Sequence, residues 1–248
     1  MSIIAVGDIH GNIRALDDLL EKISREVSNG DTLVFLGDYI DRGPDVRECI
    51  ERIIELKASS SFSIVTLLGN HEDWMLKSYR DHTAHSWIVG MESFDTIASY
   101  SQKAVQVLKR EIERGGYSMI LGKSDLPYEV FFNALPSSHL RFFESLVRYH
   151  QADGVLCVHG GLDTSVDQLD SQHPDAFLWG CDEFPGGYSG EDYVVYGHHS
   201  NAVLDAERWP YPNLKTNRTC GIDTICHGVL TAIRFPDRHV FQSRRFEV

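Results

Sequence analysis

Five short stretches of the chain share one pattern, in which an apolar run breaks at a glycine and a side chain able to bind metal follows within a residue or two. They read IIAVGDIHG (3–11), LVFLGDYIDRG (33–43), IVTLLGNHE (64–72), VLCVHGG (155–161) and VVYGHHS (194–200). Each begins with strand-like residues, and the polar residues fall where the strand would end. Ligands bind at the carboxyl ends of strands in open α/β sheets. We therefore expect these distant residues to meet at one site.

The segments between the motifs predict an α/β fold. Asn12 and Asp45 are placed to cap helices after the first and second motifs, and both helices carry apolar residues at the 3.6-residue period. This strand, loop and helix repeat indicates a βαβ half with mostly parallel strands. Further strands are predicted at 155–158 and 193–196, and antiparallel strands at 229–235 and 239–242.

The middle of the chain has a different pattern. Residues 72–149 are mainly helical in pattern, at 74–80, 91–114 and 136–149, and we interpret them as a helical insertion covering one side of the site. Residues 163–190 are rich in Asp, Pro and Gly and predict a long loop with little regular structure. No repeat, low-complexity tract or linker divides the sequence, so we expect a single domain over 1–248.

Charge and cysteine content narrow the function classes. Lys and Arg total 23 against 36 Asp and Glu, and the resulting formal charge of −13 argues against a general nucleic-acid surface. Five cysteines without a CxxC pair favour a reducing compartment. The N-terminus lacks a signal-peptide pattern, and no stretch approaches the roughly 18 apolar residues of a spanning helix. We expect a cytoplasmic protein that does not enter a membrane.

The polar residues at the strand ends are oxygen and nitrogen donors. Asp8 and His10 lie two apart, so in extended geometry both side chains point to one face and can chelate one ion. Asp38 has two carboxylate oxygens and can bridge two ions. A set without thiolate suits Mn²⁺, Fe or Zn²⁺ in a catalytic site better than structural zinc. The candidate metal ligands are Asp8, His10, Asp38, Asn70, His159 and His198.

The motifs GDIHG, GDYIDRG, GNHE, HGG and GH, in this order, resemble the signature of the phosphoprotein phosphatase family of calcineurin-like metallophosphoesterases. The text between them is similar to the compact bacterial and phage-type serine/threonine protein phosphatases, so the resemblance covers nearly the whole chain. It implies an α/β fold with two facing mixed sheets flanked by helices, a four-layer sandwich carrying a helical insertion.

The resemblance also implies a role for each motif residue. One divalent ion would be bound by Asp8, His10 and Asp38, and a second by Asp38, Asn70, His159 and His198. Arg42 would bind the substrate phosphate together with Asn70 and His71. His71 would be the general acid for the leaving group, with Asp41 orienting its ring. The implied reaction is attack on phosphorus by a hydroxide between the ions, so that no serine or cysteine nucleophile is needed.

Three positions depart from the family pattern. His199 stands where relatives commonly have threonine, and His227 where glycine or a small residue is common. Cys181 occupies the place of an arginine that resembles a second phosphate clamp, and Arg208 or Arg218 is the candidate to replace it.

The leading functional hypothesis is a metal-dependent phosphomonoesterase of the serine/threonine protein phosphatase type, with phosphoproteins or small phosphate esters as substrates. A symmetrical diadenosine tetraphosphate hydrolase and a nucleic-acid-end phosphatase are alternatives. Asp41 and Glu72 favour the former, because relatives of the hydrolase type commonly lack that aspartate and have aspartate in place of the glutamate. A hypothesis of another class is a catalytically inactive binding or regulatory module, but no motif residue is missing.

Overall fold

Two five-stranded sheets form the centre of the computed structural model, which describes residues 1–121, 124–200, 211–215 and 217–247. The first sheet has the order β10-β9-β1-β2-β3, with β1, β2 and β3 parallel and β9 and β10 antiparallel. Its strands are β1 (Ile3–Val6), β2 (Thr32–Phe35), β3 (Ser63–Thr66), β9 (Thr231–Phe235) and β10 (Val240–Gln242). The predicted βαβ half and the predicted antiparallel pair near the end of the chain are both present.

The second sheet is also mixed. Its order is β4-β5-β6-β8-β7, with parallel pairing of β5, β6 and β8 and antiparallel strands at both edges. Its strands are β4 (Tyr149–Ala152), β5 (Val155–Val158), β6 (Tyr193–Tyr196), β7 (Asn213–Leu214) and β8 (Thr219–Gly221). The expected α/β fold class with two mixed sheets is confirmed.

Helices flank the sheets. They are α1 (Ile13–Ser24), α2 (Val46–Ser59), α3 (Asn70–Arg80), α4 (Ser86–Gly90), α5 (Phe94–Tyr100), α6 (Gln102–Leu121), α7 (Glu129–Phe132), α8 (Ser137–Glu144) and α9 (Pro174–Trp179). Two 3₁₀ turns cover Leu169–Ser171 and Ile225–His227. Within the described ranges, no helix has both the length and the apolar character needed to cross a membrane.

Side chains alternate between the two faces of each strand, and this alternation divides the buried apolar residues into three clusters. Ile4 and Val6 of β1 pack on the helical side with α1 and α2, whereas Ala5 points to the other sheet and packs in a cluster with Val195 and Cys220. The outer face of the second sheet contributes a third cluster, which α9 covers. Because successive side chains of a strand point to opposite faces, each apolar strand joins two layers. This produces the sandwich of helices, sheet, sheet and covering segments.

Local sequence signals explain some helix starts. The Asn12 side chain accepts a hydrogen bond from the Ala15 backbone N–H at 3.0 Å, as expected for an N-cap. Asp45 occupies the N-cap position of α2, but its side chain makes no capping hydrogen bond. Pro174 begins α9, where its missing N–H is tolerated. This helix lies inside 163–190, so the prediction of little regular structure there was too simple.

Two predicted helices have different bounds in the structure. The pattern at 91–114 is divided between α5 and α6 because Ser101, with φ −158°, has extended backbone between them. The helix predicted for 136–149 is wrong at its end, since α8 stops at Glu144 and Tyr149 begins β4. Tyr149 pairs with Val158 of β5, and this long-range pairing overrides the local helical period.

Candidate active site

The motif residues converge at the carboxyl ends of the strands, as the pattern predicted. Asp8 and His10 follow β1, Asp38 follows β2, His159 follows β5 and His198 follows β6. Asn70 reaches the same place differently: it is the first residue of α3 rather than the end of β3. The backbone hydrogen bond from Gly197 N–H to the His159 carbonyl, 2.8 Å, holds two of these ends side by side.

Asp38 lies at the centre of the cluster. Its Oδ1 is 3.3 Å from Nε2 of His159, and its Oδ2 is 3.6 Å from Nε2 of His10. Oδ2 is also 3.8 Å from Nε2 of His71. In the described part of the chain, two groups bring their ligand atoms within 4.8 Å of one another, and both contain Asp38: His10, Asp38 and His71, and Asp38, His159 and His198. A carboxylate shared by two groups is what a bridging role requires.

Backbone hydrogen bonds determine which ring nitrogens face the cluster. Nδ1 of His10 is 2.8 Å from the Ile40 carbonyl, and Nδ1 of His159 is 2.9 Å from the Leu36 carbonyl. A carbonyl accepts only, so each Nδ1 carries a proton, and in the neutral ring the Nε2 that faces Asp38 is left with the lone pair. Imidazoles that bind metal are usually oriented by such a bond from the other nitrogen.

Asn70 adds a further acceptor to the cluster. Its Oδ1 lies 2.8 Å from Nε2 of His159 and 3.0 Å from Nδ1 of His198. The opposite amide orientation would let the nitrogen donate to both rings and to Asp38. In the first orientation the Asn70 oxygen faces other acceptor atoms, and a cation bound between these atoms would stabilise the arrangement. The donor set therefore fits divalent metal ions.

Asp8 is oriented differently from the expectation. Its carboxylate accepts the backbone N–H of His198, 2.9 Å from Oδ2, and Asp8 belongs to neither of the two close groups. The extended geometry predicted for Asp8 and His10 is wrong, because β1 ends at Val6 and His10 has a left-handed backbone with φ 43°. Asp8 still lies at the site, and its assignment as a ligand stays a prediction.

Buried negative charge dominates the electrostatics of the site. Asp8, Asp38 and Asp223 are each 1% exposed. Burial, followed by the charges of Asp223 and Asp38, raises the pKa of Asp8 well above its usual value. Burial opposes ionisation of Asp38 as well, but the surrounding histidines, His159 first, hold the pKa of that carboxyl well below its ordinary range. Burying carboxylates is costly without cations to compensate them.

His71 and Asp41 form a pair at the edge of the cluster. Nδ1 of His71 is 2.7 Å from Oδ2 of Asp41, and both side chains are buried. Helices α4 and α5 hold Asp41 in place: Trp87 Nε1–H donates to its Oδ2 at 3.0 Å, and the Thr96 hydroxyl donates to its Oδ1 at 2.5 Å. Burial opposes a charge on His71, but Asp38 and Asp41 outweigh it and raise the pKa of the ring.

Arg42 is an exposed residue at the mouth of the site. Its Nη1 lies 2.8 Å from Nε2 of His10, and Nη2 lies 3.4 Å from Nε2 of His71. The guanidinium thus faces the space in front of Asp38, where a phosphate could accept from it. Arg218 does not supply a second clamp, because it precedes β8 at the opposite strand end and donates to the Glu191 carbonyl. Arg208 lies outside the described residues.

Glu72 braces the loop that carries these residues. Its Oε1 accepts the backbone N–H groups of Tyr39 and Ile40 at 2.9 and 3.1 Å. Its Oε2 accepts those of Asp38 and Gly69 at 3.0 and 3.1 Å. The glutamate therefore positions the Asp38 backbone and faces no substrate. Its presence is a weaker indication of substrate class than the sequence comparison suggested.

Some residues of the site escaped the sequence analysis. Trp87 and Thr96 could not be found, since only the tertiary structure brings the insertion to Asp41. Asp223 had a usable signal, because TCGID repeats the pattern of an apolar residue, a glycine and a nearby carboxylate after a strand. Among the three departures, His199 stacks edge-on to His198 with ring centroids 4.6 Å apart, and Cys181 lies 3.8 Å from the Thr164 hydroxyl. The side chain of His227 lies outside the described part.

The fold and this cluster of donors define a dimetal phosphoesterase. The calcineurin-like phosphoesterase family model matches residues 1–228, and the chain belongs to that family. An asymmetrical bis(5'-nucleosyl)-tetraphosphatase, PrpE of Oceanobacillus iheyensis, is 26% identical over 249 residues, covering 96% of this chain and 90% of that protein. Serine/threonine-protein phosphatase 2 of Escherichia coli is 24% identical over 195 residues, covering 78% and 77%.

A solved structure confirms the fold. A putative diadenosine tetraphosphatase superposes with a TM-score of 0.63 at 20% identity, and the match covers all of this chain and 95% of that one. The relatives thus carry different substrate names on one architecture.

Proposed function

We propose that the protein is a metal-dependent phosphomonoesterase of the serine/threonine protein phosphatase type. The observation that carries the proposal is the His71–Asp41 pair, 2.7 Å apart, placed between Arg42 and the Asp38 cluster. An alkoxide leaving group is a strong base and must be protonated as the ester bond breaks. A nucleotide leaving group is far less basic and has little need of such an acid. A protonated histidine held by a buried carboxylate is therefore best matched to a serine or threonine ester.

Different residues of the site have different roles in the proposed reaction. Bound divalent ions, for which we propose Mn²⁺ from the nitrogen and oxygen donors, would neutralise the phosphate and supply the activated hydroxide. Arg42 offers a planar fork that can bind two phosphate oxygens. His71 carries the proton for the leaving oxygen on Nε2, and Asp41 holds the ring in that orientation through Nδ1. Cys157 and Cys220 are buried in the cluster between the sheets, and neither is placed to act as a nucleophile.

Hydrolysis of bis(5'-nucleosyl) tetraphosphates is the second candidate, and an aromatic pair favours it. Trp74 and Trp179 are half-buried with ring centroids 5.4 Å apart, and the Trp179 ring lies 5.0 Å from that of His198. Base stacking on an aromatic side chain contributes about 1–3 kcal/mol. A nucleobase next to the phosphate site could stack on this surface, and the similarity to proteins named bis(5'-nucleosyl)-tetraphosphatases supports this candidate.

One comparison of rates tests both candidates. The chelator-treated protein, resupplied with Mn²⁺, is assayed for phosphate release from phosphoserine and phosphothreonine peptides and a 5'-phosphorylated oligonucleotide. Diadenosine tetraphosphate is assayed by chromatography of its nucleotide products, because its cleavage releases no free phosphate. We expect the highest kcat/KM on the phosphopeptides. A higher value on the dinucleotide, together with a loss on that substrate alone in Trp74→Leu, would favour the second candidate. Absence of Mn²⁺-dependent hydrolysis on every substrate would contradict the enzyme hypothesis.

The cellular setting stays a separate proposal. Cys49, Cys157, Cys181, Cys220 and Cys226 are all free thiols. We propose a reducing, cytoplasmic environment on this basis, in which free thiols persist.

A further inference from the structure

Asp223 occupies a sixth strand end at the candidate active site. It follows β8, which pairs in parallel with β6 so that Gly221 lies beside Tyr196. The pairing continues past the strand, because the Ile222 N–H donates to the Tyr196 carbonyl at 2.9 Å. One residue further along, Asp223 is brought beside His198, a predicted metal ligand.

The buried Asp223 carboxylate has an oxygen that no described residue hydrogen-bonds. The side chain is 1% exposed, and its Oδ1 has no hydrogen-bond partner among the described residues. The backbone N–H of Ile225 favours the charged carboxylate and lowers its pKa, but it leaves Oδ1 without a hydrogen bond. Buried polar atoms in native proteins are nearly always paired, and an orphaned one calls for a bound ion or water.

The charges around Asp223 indicate which kind of partner it would take. Asp8 and Asp38 face it from the ends of β1 and β2, His159 from the end of β5, and Arg42 from the loop after β2. Burial raises the pKa of Asp223 to about 6, Arg42 opposes the shift, and the Asp38 charge adds to it. Among the described residues, three buried carboxylates thus share one permanent cation, and a further cation would balance the excess of negative charge.

The two predicted ion positions are unequal in protein ligands. Asp38 and three other side chains are assigned to the second ion, but the first has only Asp8, His10 and Asp38. We propose that Oδ1 of Asp223 is an additional ligand for this first ion, directly or through one water. The inference rests on the two-ion centre of the proposed function and adds a residue to it.

Metal binding measured without substrate tests the proposal. Chelator-stripped protein is titrated with Mn²⁺ by calorimetry, and wild type is expected to bind two ions. Asp223→Asn keeps the shape of the side chain but removes the charge, so one of the two affinities should fall by about 10- to 100-fold while the other is unchanged. The matched control is Asp31→Asn, a buried carboxylate before β2 at the opposite end of the sheet, which should bind both ions as wild type does.

Thermal unfolding in chelator provides a second readout. Without metal, Asp223→Asn removes one of three mutually repelling carboxylates, so its Tm at pH 8 should equal or exceed that of wild type. Asp31→Asn should lower Tm, because it loses the hydrogen bonds from Ser2 and Ser28. A lowered Tm for metal-free Asp223→Asn, or unchanged affinity for both ions, overturns the proposal. If wild type binds no Mn²⁺, the two-ion centre itself fails, an outcome distinct from failure of Asp223 alone.

Discussion

Replacing His71 by asparagine separates two roles that its position permits. Nδ1 bonded to Asp41 at 2.7 Å and Nε2 turned toward Arg42 at 3.4 Å describe a general acid. Nε2 also lies 3.8 Å from Oδ2 of Asp38, in one of the two close groups of donors, as a metal ligand would. The first role acts only when the leaving group needs a proton. The second acts on every substrate.

The acid role predicts a loss that depends on the leaving group. A positioned general acid contributes about 10²–10⁴-fold, equal to about 3–5 kcal/mol of barrier. We expect His71→Asn to lose that much kcat on a phosphoserine peptide and less than about 10-fold on an aryl phosphate, whose phenolate leaves with little protonation. The assay is steady-state phosphate release at saturating Mn²⁺ on both substrates. His173→Asn, an exposed loop histidine with a 74% exposed side chain, is the control and should match wild type.

Equal losses on both substrates would refute the acid role. A Mn²⁺ stoichiometry reduced by one ion in His71→Asn would identify the residue as a ligand instead. The pH dependence of turnover gives a further check on the His71–Asp41 pair. Removing the Asp41 charge lowers the pKa of His71, so in Asp41→Asn the loss of phosphopeptide turnover with rising pH should begin at a lower pH than in wild type. An unchanged alkaline limb would argue that another group supplies the proton.

Three further changes test what holds the fold and the site together. Glu72→Gln replaces two of the four carboxylate hydrogen bonds by an amide N–H facing N–H donors, and should lower the free energy of unfolding in urea by about 3 kcal/mol. Leu16→Ala opens a cavity under α1, where Leu16 is fully buried, and should cost about 2–5 kcal/mol in the same assay. Burial opposes ionisation of Asp18, but hydrogen bonds from Lys22 and Arg244 lower its pKa to about 2, so its stabilisation is full above pH ~4 and is lost as pH falls toward 2. Asp18→Asn should therefore cost about 1 kcal/mol at pH 7, after allowance for its exposed partners, and nothing near pH 2; a difference independent of pH would contradict this assignment.

The strand ends were predictable because their signal is local. In β1 and β5 every residue is buried on one of two faces, so the chain shows a short apolar run, and the turn that follows needs a glycine. Gly69 illustrates the need, since a Cβ there would fall against the Asp38 carboxylate and 2.6 Å from Oε2 of Glu72. Where two loops approach each other this closely, the sequence therefore has a glycine. Together with the helical pattern of the segments between the motifs, these strands sufficed to predict the α/β class.

Features decided by distant partners were not predictable. Tyr149 has a helical pattern before it, and only its pairing with Val158 makes it the first residue of a strand. Asn70 follows an apolar run as the other motif residues do, but Glu72 accepts the Gly69 N–H and helps to start a helix there. Trp87 lies in none of the predicted helices, and only the tertiary structure makes it a hydrogen-bond donor to Asp41. In each case a partner distant in sequence decides the local structure or the role of the side chain.

Backbone conformation at the site has the same non-local origin. Nine described non-glycine residues have positive φ, and five are predicted site residues: His10, Asp38, Asp41, Arg42 and His198. Sparsely populated backbone of this kind costs about 1–3 kcal/mol per residue and persists only where surrounding structure over-determines it.

The loops after β1 and β2 hold each other in these strained backbone conformations. The Ile9 and His10 N–H groups both donate to the Asp38 carbonyl, at 3.0 and 2.9 Å, and Glu72 binds the Asp38 loop from the other side. A glycine at position 10 or 38 would relieve the backbone strain. It would also remove the side-chain ligand atom that the turn directs toward the site. The site therefore retains strained residues at the positions where its chemistry requires a side chain, and the rest of the fold supplies the stability that keeps them there.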